Sequence, residues 1–205
     1  AALSQGERAL GARLGRAIGY DPETGAFAAG SPLVAGSTRE VADILAAELP
    51  GLDAAALERA ADAAARAARL APAAPDLPGL LRGLRASGLA LGVATHDSEG
   101  AARTHLAEVG ALELFDFVAG YDSGHGLKPG PGMVLAFAEA VALTPGAVAM
   151  VGDSVHDLGA ARAAGAGLAI GVLTGPAGEA ELAPLADVVL SSIAVLPEWL
   201  AARAG

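Results

Sequence analysis

From residue 72 onward, short apolar runs alternate with segments in which apolar residues recur at helical spacing. Each run is bounded by glycine, proline or polar residues, which is typical of buried strands. The runs lie at residues 89–94, 115–120, 148–151, 168–173 and 187–190. Helices are predicted at residues 78–87, 98–109, 133–142, 158–164 and 179–182 and from residue 193 onward. This strict alternation predicts an α/β domain, built as a doubly wound parallel sheet with right-handed crossovers.

The residues up to 71 show a different pattern, with helical periodicity and no strand-like run. Helices are predicted over residues 4–19, 38–49 and 53–70, and residues 20–37, rich in Gly, Pro, Ser and Thr, are expected to form a loop. Prolines at 72, 75 and 78 mark a linker. We therefore predict two domains, a small helical domain over residues 1–71 and an α/β domain over residues 72–205.

Composition and charge exclude several classes of function. The 205 residues are 53% hydrophobic with a formal net charge of −10, a globular composition without the basic patches that a nucleic acid partner requires. The absence of cysteine excludes a disulfide framework and a thiolate nucleophile. The sequence shows neither a secretory signal nor an uninterrupted apolar run that could span a membrane. We expect a cytoplasmic protein with no nucleic acid or membrane partner, and the oligomeric state stays open.

Two carboxylates follow the apolar run that ends at Gly152. Asp153 comes directly after this strand, and Asp157 lies one helical turn further on. In open α/β sheets, ligands bind at the edge formed by the carboxyl ends of the strands. Carboxylates at this spacing suit Mg²⁺, which takes one or two of them and keeps waters or a substrate phosphate as its other ligands. Helix capping by Asp153 is the alternative, because Asp is a favoured capping residue.

Two other strand ends carry groups that suit a phosphate. The run over residues 89–94 leads into Thr95 and His96, and a helix starts at Ser98, so a hydroxyl and main-chain N–H groups reach the same edge. Lys128 lies between the next strand and its helix, followed by Pro129. A positioned ammonium stabilises both a bound phosphate and the charge of a transition state. One phosphate site at the carboxyl edge of the sheet is therefore predicted.

This order of motifs resembles the haloacid dehalogenase superfamily of aspartyl-phosphate hydrolases, and within it the phosphoglycolate-phosphatase-like enzymes. Thr95 matches the second motif of the family, Lys128 in Lys-Pro-Gly-Pro matches the third, and Gly-Asp-Ser-Val-His-Asp over residues 152–157 matches the fourth. The resemblance covers about residues 75–205, and the helices before it look like the family's helical cap. It implies a Rossmann-like core of the family's type with a small α-helical cap domain.

The resemblance implies a Mg²⁺-dependent phosphomonoesterase that acts on phosphoglycolate or a similarly small phosphorylated metabolite, through an aspartyl-phosphate intermediate. Thr95 would bind a phosphoryl oxygen, and Lys128 would neutralise the nucleophile and the phosphate. Asp153 would ligate the metal, and Asp157 would support the metal through water or hold the loop. Thr95, Lys128 and Asp157 are thus the candidate catalytic residues. His96 stands where the family often has Asn, so it would contact the substrate phosphate or cap the following helix.

The family's first motif, an apolar strand followed by Asp-x-Asp-Gly-Thr, does not occur in the 205 residues. Asp21, before Pro22, is interpreted as a turn residue. The first strand normally lies between those that carry Thr95 and Asp153, and both would lack ladder partners without it. We therefore expect that the complete protein has this strand upstream and is active, whereas the 205-residue chain has no turnover. The alternatives are a noncatalytic protein that binds phosphate or Mg²⁺, and a sugar phosphomutase of the same fold.

Overall fold

The computed structural model describes residues 4–28, 30–49, 51–69 and 71–204. The chain divides into two units, residues 1–67 and residues 68–205. Within the described ranges, no helix combines the length and the apolar character needed to cross a lipid bilayer.

The first unit is helical. Its helices α1 to α4 lie at Gln5–Ala17, Pro32–Ala35, Thr38–Glu48 and Ala54–Ala67. Ser4 and Glu7 form a capping box at the start of α1, and the Ser37 hydroxyl caps α3. The three longer helices correspond to the predicted segments. Helix α2 and an antiparallel bridge between Tyr20 and Phe27 lie in the segment that was expected to be a loop.

The second unit alternates helices and strands. It begins with α5 (Leu77–Ala86), β1 (Gly92–Ala94), α6 (Glu99–Glu108) and β2 (Phe117–Ala119). It continues with α7 (Gly132–Ala140), β3 (Ala149–Gly152), α8 (Val155–Ala164) and β4 (Leu168–Val172). It ends with α9 (Glu179–Leu182), β5 (Val188–Leu190) and α10 (Leu196–Ala204). Short 3₁₀ turns precede β2, β3 and α10, at Leu112–Leu114, Pro145–Ala147 and Ile193–Val195.

The strands form two parallel sheets. β1 pairs with β2, with Val93 opposite Val118, and β3, β4 and β5 are adjacent in that order, with Val151 opposite Ile170. Parallel strands connected by helices confirm the predicted α/β class. Within the described part of the chain, no strand pairs with the second edge of β1 or of β3. β1 and β3, the two strands between which the family's first strand was expected, therefore each have one unpaired edge in this part of the chain.

Hydrogen bonding shows which residues lie on these unpaired edges. The N–H of Thr95 donates to the last carbonyl of β2 at 3.0 Å, so Thr95 faces β2 and the preceding residue, Ala94, faces away. The carbonyl of Val148 accepts from the main chain just before β4 at 2.9 Å, so Val148 faces β4 and Ala149 faces away. The main-chain groups of Ala94 and Ala149 therefore lie on the unpaired edges of the two sheets.

Both faces of β4 are buried by helices. Ile170, on one face, belongs to an apolar cluster with residues of α5, β5 and α10. Ala169, on the other face, belongs to a cluster with residues of α8 and α9. In α8, Ala160 and Ala161 are fully buried, and their small side chains let the helix lie close to the sheet. Helices on both faces give the predicted doubly wound arrangement, and the loops at the carboxyl ends of the strands form a common edge.

Candidate active site

A buried ion pair joins the loop after β2 to the start of α8. Nζ of Lys128 lies 2.6 Å from Oδ1 of Asp157, and the two side chains are only 10% and 8% exposed. The same Nζ donates to the main-chain carbonyl of Ala94 at 2.9 Å. Lys128 is the only lysine in the sequence. Because Ala94 lies on the unpaired edge of β1, this single ammonium is held between that edge and the helix that follows β3.

Asp157 is held in turn by Ser154. The main-chain N–H and the hydroxyl of Ser154 donate to Oδ2 of Asp157 at 3.1 and 2.7 Å, and the Ser154 hydroxyl oxygen accepts the N–H of Asp157 at 3.3 Å. This capping box makes Ser154 the N-cap of α8, so helix capping does not explain Asp153. Both carboxylate oxygens of Asp157 have partners in the protein, which suits a group that positions Lys128 and the start of the helix.

Asp153, directly after β3, has a different environment. Burial raises the pKa of Asp153, and the negative charge of Asp157 raises this pKa further. A main-chain hydrogen bond and the positive charge of Lys128 act in the opposite direction. Among the described residues, no lysine or arginine forms an ion pair with Asp153. A bound cation would therefore offset the cost of ionising this carboxyl group.

Two glycines make room for these carboxylates. A Cβ atom on Gly152 would overlap the side chain of Asp157, and a Cβ atom on Gly175 would overlap the carboxylate of Asp153. Gly175, in the loop after β4, was not among the residues predicted for the site. The only sign of its role in the sequence is that a glycine follows shortly after the end of a strand, and such a sign is weak. Gly175 forms the surface against which Asp153 lies.

Thr95 directly follows β1. Its Oγ1 accepts the N–H of Asp97 at 3.1 Å, which leaves the hydroxyl hydrogen for another acceptor. The structure thus places a hydroxyl donor at the carboxyl end of β1, one residue after the carbonyl that binds Lys128.

The start of α6, expected to offer main-chain N–H groups to an anion, is largely occupied by the protein itself. The N–H of Glu99 donates to the Asp122 carboxylate at 2.8 Å, and the N–H of Ala101 donates to the Ser98 hydroxyl at 3.1 Å. Ser98, not His96, is therefore the N-cap of this helix. Of the groups predicted at this strand end for a phosphate, the Thr95 hydroxyl keeps a hydrogen to donate, whereas two N–H groups of the helix start are bonded to the protein.

His96 contacts the loop that carries Lys128. Its Nε2 accepts the main-chain N–H of Lys128 at 3.0 Å. Its ring centroid lies 6.0 Å from that of His156, in the first turn of α8. The structure therefore brings His96, Lys128, Asp153 and Asp157 together from the three segments that follow β1, β2 and β3.

A metal at this site would rest on few protein ligands. Within the described residues, no group of three or more His, Cys, Asp or Glu side chains is placed to hold a metal ion. Asp153 instead offers one half-buried carboxylate whose ionisation a cation would favour. This donor set fits Mg²⁺, which binds through one or two carboxylates with waters and phosphate oxygens, better than a metal that needs an all-protein cage.

The chain belongs to the haloacid dehalogenase-like hydrolases, since the model of that family matches residues 5–165. Among curated proteins, it is 44% identical over 85 residues to a phosphoglycolate phosphatase of Cereibacter sphaeroides, covering 42% of this chain and 38% of that protein. It is 37% identical over 120 residues to a phosphoglycolate phosphatase of Chromobacterium violaceum, covering 58% of this chain and 50% of that protein. The matches thus span half or less of each relative.

The fold is shared more widely than the sequence. A predicted phosphoglycolate phosphatase from Haemophilus somnus superposes with a TM-score of 0.68 at 20% identity, covering 93% of this chain and 90% of that structure. At this identity the likeness establishes the fold alone. It agrees with the α/β class that the alternating pattern predicted.

Proposed function

We propose that the complete protein is a Mg²⁺-dependent phosphomonoesterase for a small phosphorylated metabolite, with phosphoglycolate as the first candidate. The observation that carries the proposal is the Lys128 ammonium, held by the Ala94 carbonyl and by Asp157 with Asp153 close by. The names of the curated relatives support the choice of substrate class. Residues 1–71 would act as the helical cap and residues 72–205 as the catalytic core, in the cytoplasm.

The charges of the site favour a divalent cation. With both carboxyl groups ionised, Asp153, Asp157 and Lys128 together carry one net negative charge. A phosphomonoester brings about −1.5 to −2 more at neutral pH, so it would be repelled without a further cation. Mg²⁺ held by Asp153 would neutralise charge on the phosphoryl group. The Thr95 hydroxyl would donate to one phosphoryl oxygen and Lys128 to another, while Asp157 keeps the ammonium in place.

The nucleophile would come from outside these residues. We place it on a further parallel strand that pairs with the unpaired edges of β1 and β3, because a strand pairing with β1 there would end near the Lys128 ammonium. An Asp at its carboxyl end would attack phosphorus and displace the alcohol, and water would then hydrolyse the aspartyl phosphate. The 205-residue chain alone would show no turnover. Lys128 would neutralise charge on the nucleophile as well as on the phosphate.

The test is phosphate release from phosphoglycolate by the complete protein, with and without Mg²⁺. We expect release that depends on the metal and a loss in kcat/KM of about 100-fold or more in Asp153→Asn, because the variant lacks the metal-binding carboxylate. Asp187→Asn, at the opposite end of the sheet, is the matched control and should keep most of the activity. Metal-independent dehalogenation, or phosphate binding without release, would contradict the proposal.

A further inference from the structure

The main chain at Lys128 is held by a histidine side chain. Nε2 of His96 accepts the N–H of Lys128 at 3.0 Å, across 32 positions of sequence. The side chain of Lys128 is held separately, by the Ala94 carbonyl and by Asp157. The loop is therefore fixed at two levels, by its main chain and by its ammonium, and both levels use groups from the end of β1.

The next residue of the loop is restrained as well. A Cβ atom on Gly159 of α8 would come within 2.8 Å of the Pro129 side chain, so the proline lies directly on the helix surface at a glycine. His96 thus supports the loop from the side of β1, and α8 supports it at Asp157 and Gly159. Removing either support would release one side of the segment that presents the ammonium.

The donor direction of the bond defines the protonation of His96. A nitrogen that accepts a hydrogen bond carries no proton, so the imidazole is neutral and its proton is on Nδ1. In this state Nε2 cannot donate to a phosphoryl oxygen. His96 was also considered as a phosphate ligand. To contact a phosphate through Nε2, it would have to give up its bond to Lys128.

We propose that His96 is a positioning residue that acts through the main chain of Lys128, rather than a residue that binds the substrate directly. It sets where the ammonium of the single lysine lies relative to the phosphate. The inference rests on the proposed function in one respect, because it takes Lys128 to be the group that neutralises the phosphoryl oxygens. The hydrogen bond from the N–H of Lys128 to His96 does not depend on that role.

The first arm of the test uses the 205-residue chain and no substrate. Labelling with ¹⁵N-lysine gives one lysine amide resonance, because the chain has one lysine. At pH 8 we expect exchange of this amide with solvent to be about tenfold faster in His96→Ala than in the unmodified chain, as one hydrogen bond is lost. His96→Gln should restore slow exchange, since a glutamine amide oxygen can replace Nε2 as acceptor. His156→Ala is the control and should leave the exchange slow.

Nitrogen chemical shifts of the histidine rings, measured on the same 205-residue chain, provide a second test. His96 should show the tautomer protonated at Nδ1. A ring protonated at Nε2, or a Lys128 amide that exchanges equally slowly with and without the His96 imidazole, would overturn the inference. The thermal unfolding midpoint, measured in parallel, separates a local release of the loop from a general loss of folding.

The second arm uses the complete protein and phosphoglycolate. His96→Ala should lower kcat/KM about tenfold and His96→Gln should restore most of it, following the amide exchange of Lys128. If both variants raise KM equally while the amide stays protected, His96 contacts the substrate directly and the inference is wrong. If the unmodified protein releases no phosphate, the proposed function fails, and the exchange measurements alone decide the positioning role.

Discussion

Aspartates lie at both ends of the parallel strands, in opposite electrostatic environments. Just before β2, Asp116 accepts hydrogen bonds from Arg85 at 2.7 Å and from the N–H of Leu91 at 2.8 Å. Just before β5, Asp187 pairs with Arg162 at 3.0 Å and accepts the N–H of Ala169, in the neighbouring strand β4, at 2.7 Å. The arginine hydrogen bonds hold the pKa of both carboxyl groups below the ordinary value, with the main-chain bonds adding to the effect.

At the other end of the strands, burial and the charge of Asp157 raise the pKa of Asp153. The acids at the amino ends are ions that the fold stabilises, and they connect neighbouring strands. Asp153 is an ion that the fold destabilises, at the edge where ligands bind. The same residue type is thus stabilised as an ion at one edge and disfavoured as an ion at the other.

The largest expected effect comes from removing the cation of the buried pair. Lys128→Met keeps the aliphatic stem but leaves Asp157 buried without its partner, so the free energy of unfolding should fall by about 3 kcal/mol. Urea unfolding followed by the fluorescence of Trp199, the only tryptophan, measures this in the second unit. Arg103→Met removes an exposed ion pair with Glu99 and should cost about 0.5 kcal/mol or less. An equal loss of unfolding free energy in the two variants would contradict the difference expected between a buried and an exposed ion pair.

The next effect concerns the glycine that contacts Asp153. Gly175→Ala should lower the free energy of unfolding by about 1–2 kcal/mol, because the added Cβ overlaps the carboxylate. Displacement of Asp153 should also weaken Mg²⁺ binding, measured by calorimetric titration. Gly146→Ala, where a Cβ would meet no atom within 4 Å, is the matched control. The same metal affinity in both variants would show that Gly175 does not position the carboxylate.

At the amino end of the strands, Asp116→Asn should lower the free energy of unfolding by about 1 kcal/mol at pH 7. The loss is this small because solvent screens the partly exposed pair of Asp116 and Arg85. The lowered pKa means that folding favours the ionised form, so this stabilisation is present above the ordinary pKa of 3.8 and is lost as the pH falls through the folded-state value. The difference between wild type and variant should therefore shrink in acid. Urea unfolding at pH 7 and at about pH 3 tests this, and a constant difference would argue against it.

The smallest expected effect is that of Asp153→Asn on the free energy of unfolding, and it has the opposite sign. Because the pKa of Asp153 is raised, the stability it contributes is present below 3.8 and is lost as the pH rises through the folded-state value. Asp153→Asn stays neutral, so in metal-free buffer at neutral pH its urea midpoint should be slightly higher than that of wild type. Added Mg²⁺ should stabilise wild type and leave the variant unchanged. A variant that is less stable without metal would remove the contrast between the two edges.

The strands and the positions of the candidate site residues could be predicted from the sequence, because both depend on local order. An apolar run followed by Gly152 and Asp153 defines a strand end regardless of the rest of the chain. The strand lengths were less accurate. β1 was predicted from residue 89 but begins at Gly92, since the N–H of Leu91 is bound by the Asp116 side chain instead of a strand carbonyl.

The contacts inside the site could not be predicted, because they join distant segments. Nothing in the spacing of His96 and Lys128 indicates that an imidazole accepts a main-chain N–H across 32 positions. Gly175 meets Asp153 only because the loop after β4 returns over the end of β3. Whether Asp157 faces a metal or a lysine is likewise decided by tertiary packing. The spacing of Asp153 and Asp157 along the chain does not predict it.

The two arginine–aspartate pairs have a consequence for how neighbouring strands are aligned. A strand that slips by one residue turns its side chains to the wrong face, so alignment has to be specified somewhere. Asp116 specifies it for β1 and β2, and Asp187 specifies it for β4 and β5, each by binding its neighbour's main chain at one defined position. Each sheet therefore contains its own alignment signal. The alignment of either sheet therefore does not depend on side chains of the other.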